Sequence, residues 1–161
     1  MEPILNCQDI FFHACVFADC ADFCFQYKKG DWAEYLQTGY YIPQITNAAF
    51  ACELFLKSIL RKRKVSYNNT HALKGLFLLL PDDIKQRIEK TLKITFGESL
   101  IDQFDEEYME AISNEFQEWR YAFEKAVISC PLDFLMAFLN VLRNECCEIL
   151  YDKTWEEYKG N

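Results

Sequence analysis

The sequence predicts an all-α protein, a helical bundle of about five to six helices. Apolar residues recur at steps of three and four along several long segments, as they do on one face of an amphipathic helix. Glycine and proline are scarce, at five and four of 161 residues, which argues against a fold rich in turns. No segment shows the strict apolar–polar alternation of a half-buried strand.

The first predicted helix covers residues 8–28 and is apolar on nearly every side. A helix with so little polar surface is usually central in a fold or forms half of a dimer interface. Gly30, preceded by two lysines, is typical of a helix end. One stripe at helical spacing consists of Ile10, Ala14, Phe17, Ala21 and Cys24.

Residues 31–42 show little clear period and are predicted as a loop or a short helix. Pro43 opens a second long helix that reaches about Arg63. Glu53 and Lys57 lie four residues apart on its side, a spacing at which opposite charges attract. The apolar stripe of this helix consists of Ile45, Ala48, Ala49, Cys52, Phe55, Leu56, Ile59 and Leu60.

Further helices are predicted after a polar loop at 65–70. Thr70 is expected to cap the first of them, and Pro81 to stop it. The predicted helices cover 71–80, about 82–97, 98 to about 116, and a last long segment that begins at Cys130-Pro131. In the helix from 98 to about 116, Ala111 and Ile112 are predicted to face inward.

Length and composition predict a single domain at 1–151, followed by a polar C-terminal tail at 152–161. Just over half of the residues are apolar, enough for one large core or for a core plus an oligomer interface. The formal charge of −8 would repel a phosphate backbone over most of the surface. Nucleic acid would therefore need a local basic patch, and the run Arg61-Lys62-Arg63-Lys64 is the best candidate.

The eight cysteines predict buried, reduced thiols in an intracellular protein. They fall inside apolar helical patterns, and no pair of CxxC motifs suggests a metal site. The start of the chain lacks the basic segment of a signal peptide. His13, Asp19 and Asp22 interrupt the apolar run 10–25, which makes it a poor membrane span. We expect a cytoplasmic protein with no membrane partner, no metal and no cofactor.

Three motifs carry a resemblance to a known family. They are Ala-Cys-Glu-Leu-Phe-Leu-Lys at 51–57, His-Ala-Leu-Lys-Gly-Leu-Phe at 71–77, and Phe-x-x-Trp-Arg-Tyr-x-x-Glu at 116–124. In this order, over 45–124, the chain resembles the HEPN superfamily. The resemblance implies an α-helical bundle that is often dimeric. Many members are metal-independent RNases of toxin–antitoxin, phage-defence and RNA-processing systems, and others bind nucleotides or partner proteins without catalysis.

The chain departs from the RNase motif of this family, in which a histidine follows an arginine after four to six residues. There the arginine stabilises phosphate charge and the histidine helps proton transfer at the 2′-hydroxyl. No arginine of this chain has a histidine at that spacing, because the two histidines are His13 and His71. The usual chemistry thus lacks its acid–base group, so no catalytic residue is predicted.

Two roles are open for Arg120, which stands among aromatic and acidic residues. It either pairs with Glu124, Glu53 or a carbonyl and locks helices together, or binds an anion at the cleft of a helix dimer. His71 either makes a structural hydrogen bond or joins a small phosphate patch. The candidate ligand-binding residues are Arg120, Glu124, Lys57, Arg61, His71, Lys74, Asn114, Trp119 and Tyr121.

The resemblance implies a non-catalytic HEPN-like protein that binds a nucleotide, RNA or a partner protein. We expect a homodimer through the most apolar helix, in the setting of a toxin–antitoxin or defence system, with a nucleotidyltransferase-like partner. One alternative is a metal-independent RNase with a degenerate site, in which Arg120 holds the phosphate and Glu124, Lys125 or His71 moves protons. The other is a purely structural interaction module.

Overall fold

The computed structural model describes residues 6–27, 30–96, 107–121, 124 and 130–160. Within these ranges the fold is an all-α bundle without strands, which confirms the predicted class. The described residues form nine helices, more than the five or six predicted, because several short helices lie between and after the long ones. In chain order the helices are α1 (Cys7–Gln26), α2 (Trp32–Thr38), α3 (Tyr41–Lys62), α4 (Leu73–Leu78), α5 (Asp82–Phe96), α6 (Met109–Ile112), α7 (Glu115–Arg120), α8 (Leu132–Tyr151) and α9 (Trp155–Lys159).

Helix α3 lies at the centre of the bundle. It packs against α1, α8, α7, α4 and α2, and its predicted apolar stripe is buried throughout. Phe55 of α3 packs against Phe11 of α1, with 5.7 Å between the ring centroids. Because α3 offers apolar residues to several neighbours at once, it is the central helix of the bundle. The first predicted helix, which was expected either to be central or to form half of a dimer interface, is not the central one.

Helix α1 begins at a capping box that the sequence analysis did not identify. The Asn6 side chain accepts a hydrogen bond from the Asp9 amide at 2.9 Å, and the Asp9 carboxylate accepts one from the Asn6 amide at 3.4 Å. These reciprocal bonds satisfy amide groups that have no partner inside the helix. The buried face of α1 packs along α3 and consists of Ile10, Phe11, Ala14, Ala18 and Ala21.

The helix predicted from 98 to about 116 is interrupted. Residues 98–106 lie outside the described residues. Beyond them, a turn at Ser113 and Asn114 separates α6 from α7. Ala111 is exposed, so its predicted inward orientation is wrong, whereas the inward orientation of Ile112 is confirmed. The break matters because it brings Ser113 to the start of another helix.

Helix α4 starts at Leu73, two residues later than predicted. The carbonyl of Ser113 accepts a bond from the Leu73 amide at 2.9 Å, and its hydroxyl accepts one from the Lys74 amide at 3.2 Å. The predicted cap, Thr70, instead accepts a bond from the Ala72 amide, at 3.3 Å. A residue distant in the sequence therefore satisfies the first amides of α4.

Residues 152–161, predicted as a polar tail, hold the short helix α9. Thr154 and Glu157 form a capping box at its start. Trp155 packs against Phe11 with 6.5 Å between ring centroids, and the Arg143 guanidinium lies 4.8 Å from the Trp155 ring centroid. This segment is thereby attached to α1 and α8. Among the described helices, none has both the length and the apolar character that a bilayer span requires.

Candidate functional site

A buried carboxylate brings two of the candidate residues together. The side chain of Glu53, on α3, is 1% exposed. Its Oε1 accepts a hydrogen bond from Lys57 Nζ at 2.6 Å and lies 2.8 Å from Nδ1 of His71. Lys57 Nζ also lies 5.7 Å from the Tyr67 ring centroid, within reach of a cation–π contact. The loop after α3 therefore folds back along the helix and places an imidazole on its acid.

Two more candidate cations lie on α4 and α3. Lys74 Nζ contacts Glu110 Oε2 at 2.9 Å, and both side chains are partly exposed. Arg61 is exposed one helical turn beyond Lys57, and residues at this spacing share a helix face.

The basic run Arg61–Lys64 at the end of α3 contributes to a lowered pKa of a nearby acid, Asp83. A hydrogen bond from Arg87 is the main cause that lowers the pKa of Asp83, and the charge of Arg63 lowers it further. All four residues of the run Arg61–Lys64 are exposed. Positive charge thus accumulates at this end of α3, in a chain whose formal charge is −8.

Arg120 lies at the C-terminal end of α7 and is exposed. Its guanidinium carbon is 4.7 Å from the Phe116 ring centroid and 5.3 Å from that of Tyr121. Phe116 in turn stacks on Phe50 of α3, with 4.4 Å between centroids. Aromatic faces therefore orient this guanidinium through cation–π contacts. Glu53, one of the carboxylates considered as a partner of Arg120, instead contacts Lys57 and His71.

The other candidates of this segment divide between core and surface. Trp119 is buried edge-on against Tyr41, with 5.7 Å between centroids, so its ring offers no stacking face to a base. Tyr121 and Glu124 are exposed, and the Glu124 amide donates to the Tyr121 carbonyl at 2.9 Å. Asn114 is exposed at the start of α7, and its side chain makes no capping bond there.

The candidate residues therefore fall into two groups. Lys57 and His71 meet at Glu53. The i,i+4 spacing predicted the pairing of Glu53 with Lys57, but it did not predict the contact of Glu53 with His71. Arg120 and Tyr121 form the second group. Within the described residues, no hydrogen bond or ion pair joins the two groups.

The outward face of α1 is a feature that sequence reasoning did not resolve. Five exposed apolar residues lie opposite the face packed on α3, and we call them the α1 stripe. Phe12, Phe23 and Tyr27 are 64%, 60% and 52% exposed. Aromatic side chains bury ~150–250 Å² each, so these three together leave roughly 350 Å² uncovered. The α1 stripe consists of Phe12, Val16, Cys20, Phe23 and Tyr27, which follow one another at steps of four, four, three and four residues.

The cysteines are all free, and most are unsuited to chemistry. Burial raises the pKa of Cys15 to about 12 and that of Cys147 to about 11. Burial also raises the pKa of Cys52 and Cys146 strongly. Since the thiolate is the reactive form, these groups act as packing residues. In the part of the chain that the structure describes, no group of three or more ligating side chains is arranged for a metal ion.

Comparisons of this chain with protein-family models, with curated proteins and with solved structures found no match. The HEPN resemblance therefore rests on the three sequence motifs.

Proposed function

We propose that this chain is a non-catalytic, HEPN-like binding protein that acts as a homodimer, with the α1 stripe as the dimer interface. One observation carries the proposal: the outward face of α1 presents a continuous row of exposed apolar residues at helical spacing. Such a row is unfavourable in water, and monomers seldom expose larger apolar patches without a function for them. A toxin–antitoxin or defence setting and a nucleotidyltransferase-like partner stay predictions of the resemblance.

The area of the stripe suits an interface between two copies. A stable interface buries about 800 Å² on each partner, around an apolar centre. The three aromatic residues of the stripe supply roughly 350 Å² of that centre. Tyr40, before α3, extends the surface, because its ring stacks on Tyr27 with 4.3 Å between centroids. A two-fold axis lets one such surface meet itself, so a second copy is a sufficient partner.

One charge on this face already has compensation. Asp19 lies between Val16 and Cys20, and its carboxylate is 3.6 Å from Nη1 of Arg143 on α8. Arg143 is mostly buried and also lies 3.5 Å from Asp22. An acid near an interface costs less when a cation lies next to it, because the attraction between the two charges offsets part of the penalty for removing them from water.

Replacing Phe23 by aspartate is expected to abolish self-association. The new carboxylate would be buried without a partner at about 3 kcal/mol or more, which is roughly 100-fold in Kd. Sedimentation equilibrium across a wide concentration range should give twice the chain mass of 19.1 kDa for the wild type. The Phe23→Asp variant should give the mass of one chain.

The matched control is Ile94→Asp on α5, because Ile94 is 75% exposed and lies outside the stripe. This variant should dimerise like the wild type. Alkylation of Cys20 provides a second measurement, since its rate should fall with protein concentration in the wild type but not in Phe23→Asp. A wild type that stays monomeric at every concentration would contradict the proposal, as would equal losses in both variants.

A metal-independent RNase is the second candidate, and the exposure of Arg120 favours it. Incubation of mixed RNA with the protein and a chelator is expected to give no cleavage, because no histidine follows Arg120 at the motif spacing. His71 is instead bonded to Glu53. Cleavage by the wild type that Arg120→Ala removes would establish the RNase and overturn the non-catalytic assignment. The matched control is Lys90→Ala, which removes an exposed cation on another helix, α5.

A further inference from the structure

Two cysteines lie one helical turn apart on the outward side of α1. Cys20 is exposed and belongs to the α1 stripe, and Cys24 is partly buried at the edge of it. Residues four apart on a helix have Cβ atoms roughly 5–6 Å from each other, so their side chains can turn toward a common point. The two thiols are close enough to interact, because burial raises the pKa of Cys24 and the charge of Cys20 raises it further.

A pair of thiols at this spacing supplies half of the ligands of a structural zinc site. Such sites hold Zn²⁺ in a tetrahedron of four ligands, two of which commonly lie close together in the sequence. A Zn–S distance of about 2.3 Å puts neighbouring sulfurs roughly 3.8 Å apart, which two cysteines one helical turn apart reach by rotation of their side chains. One copy of the chain supplies only this pair, since its described residues contain no group of three ligating side chains arranged for a metal.

The second pair of thiols would come from another copy of the chain, so this inference rests on the proposed self-association through the α1 stripe. A two-fold axis that crosses two antiparallel helices brings the same edge of the stripe from both copies together. When this axis passes between Cys20 and Cys24, each Cys20 lies opposite Cys24 of the partner subunit.

The spacing of packed helices leaves room for one ion between these thiols. Helices in contact lie about 8–10 Å apart from axis to axis, and the Cα atoms of each lie about 2.3 Å from its own axis. Facing Cα atoms therefore come within roughly 5 Å of each other across the contact. Four cysteine side chains that enter this space from two helices can surround a single ion on the two-fold axis.

We propose that Cys20 and Cys24 of two copies bind one Zn²⁺ ion as a tetrahedral four-thiolate site on the axis of the α1 dimer. Soft thiolate ligands select zinc over harder cations such as Mg²⁺, and a tetrahedral set of four sulfurs suits it. Each thiol releases its proton to solvent when it binds the metal. The charge of the ion then stabilises the thiolate of Cys24, which burial alone disfavours.

The ion has two effects on the dimer. Because the complete site exists only when two copies meet, zinc shifts the association equilibrium toward the dimer by mass action. It also selects the antiparallel register in which both cysteine pairs lie on the axis, a choice that the apolar side chains of the stripe leave open.

Zinc titration of the full chain, freed of metal with a chelator and kept in a reductant without thiols, tests this site. The wild type should bind one Zn²⁺ per two chains, and Co²⁺ in its place should give the visible absorption of a tetrahedral thiolate complex. Cys24→Ser should lower the zinc affinity by more than about 100-fold, because even groups that only orient metal ligands contribute about 10–100-fold. The matched control is Cys7→Ser, a partly exposed cysteine at the start of α1, which should bind zinc like the wild type.

Sedimentation equilibrium with chelator and with zinc separates failure of this site from failure of the dimer. The wild type should dimerise in chelator and more tightly in zinc. Phe23→Asp should lose zinc affinity as Cys24→Ser does, because its two thiols meet no second pair. A wild type that dimerises but binds no zinc, or binds it as tightly as Cys24→Ser, would overturn this inference and leave the α1 dimer in place.

Three other results would also contradict the zinc site. One Zn²⁺ per chain, bound equally by the wild type and Phe23→Asp, would place the ion within a single copy. Iron and inorganic sulfide in the isolated protein would replace the zinc ion with a cluster. A wild type that stays monomeric both in chelator and in zinc would remove the dimer and this site together.

Discussion

Replacing Phe55 by alanine is expected to lower the free energy of unfolding by about 4 kcal/mol, because Phe→Ala changes in a core typically cost 3–5 kcal/mol. Phe55 is fully buried on α3, and its ring contacts that of Phe11 on α1. The loss combines the transfer of a large apolar side chain to water with the cavity left between two helices that cannot close completely. Urea denaturation at fixed protein concentration would measure it.

The control for this prediction is Ile94→Ala, an apolar truncation on the exposed side of α5. Surface changes of this kind alter stability by about 0.5 kcal/mol or less. If Phe55→Ala lost less than about 1 kcal/mol, then α3 would not hold the central position that the fold gives it.

The long helices were predictable because their information is local. The stripe of α3 repeats at a period that only a helix satisfies, so its burial follows from residues such as Ile45 and Leu60 without knowledge of the partners. The same reasoning fails for α1, which is apolar on nearly every side. Periodicity cannot say which apolar face is packed and which is exposed, because that depends on where α3 lies.

The break between α6 and α7 could not be predicted for a similar reason. Nothing in the local pattern distinguishes Ser113 from a mid-helix serine. Its hydroxyl accepts a bond from the amide of Lys74, 39 residues away in sequence. A long-range contact therefore decides a local conformation, and it also orients the start of α4, two residues after His71.

Only half of the Glu53 cluster was predictable. The pairing with Lys57 follows from four-residue spacing on one helix. The contact with His71 spans 18 residues and depends on the path of an irregular loop, for which sequence carries no period. Sequence reasoning named the histidine as a structural or phosphate-binding residue, and its contact with Glu53 at Nδ1 is a structural bond of the first kind.

Replacing Glu53 by alanine is expected to destabilise the fold by about 3 kcal/mol near neutral pH, the lower end for breaking a buried ion pair. The change leaves Lys57, whose side chain is 15% exposed, without its acid and removes the anchor of His71. The loss of stability should lie at the lower end of the range for buried ion pairs, because the ammonium of Lys57 can still reach water. Urea denaturation again provides the measurement.

Glu110→Ala is the matched control, since it also removes a carboxylate from a lysine pair. Glu110 is 67% exposed, and exposed pairs contribute about 1 kcal/mol or less. The double variant Glu53→Leu with Lys57→Leu should recover much of the stability lost by Glu53→Ala, because two well-packed apolar residues can replace a buried pair at little cost. Equal losses for Glu53→Ala and Glu110→Ala would mean that the buried pair contributes no more than a surface one.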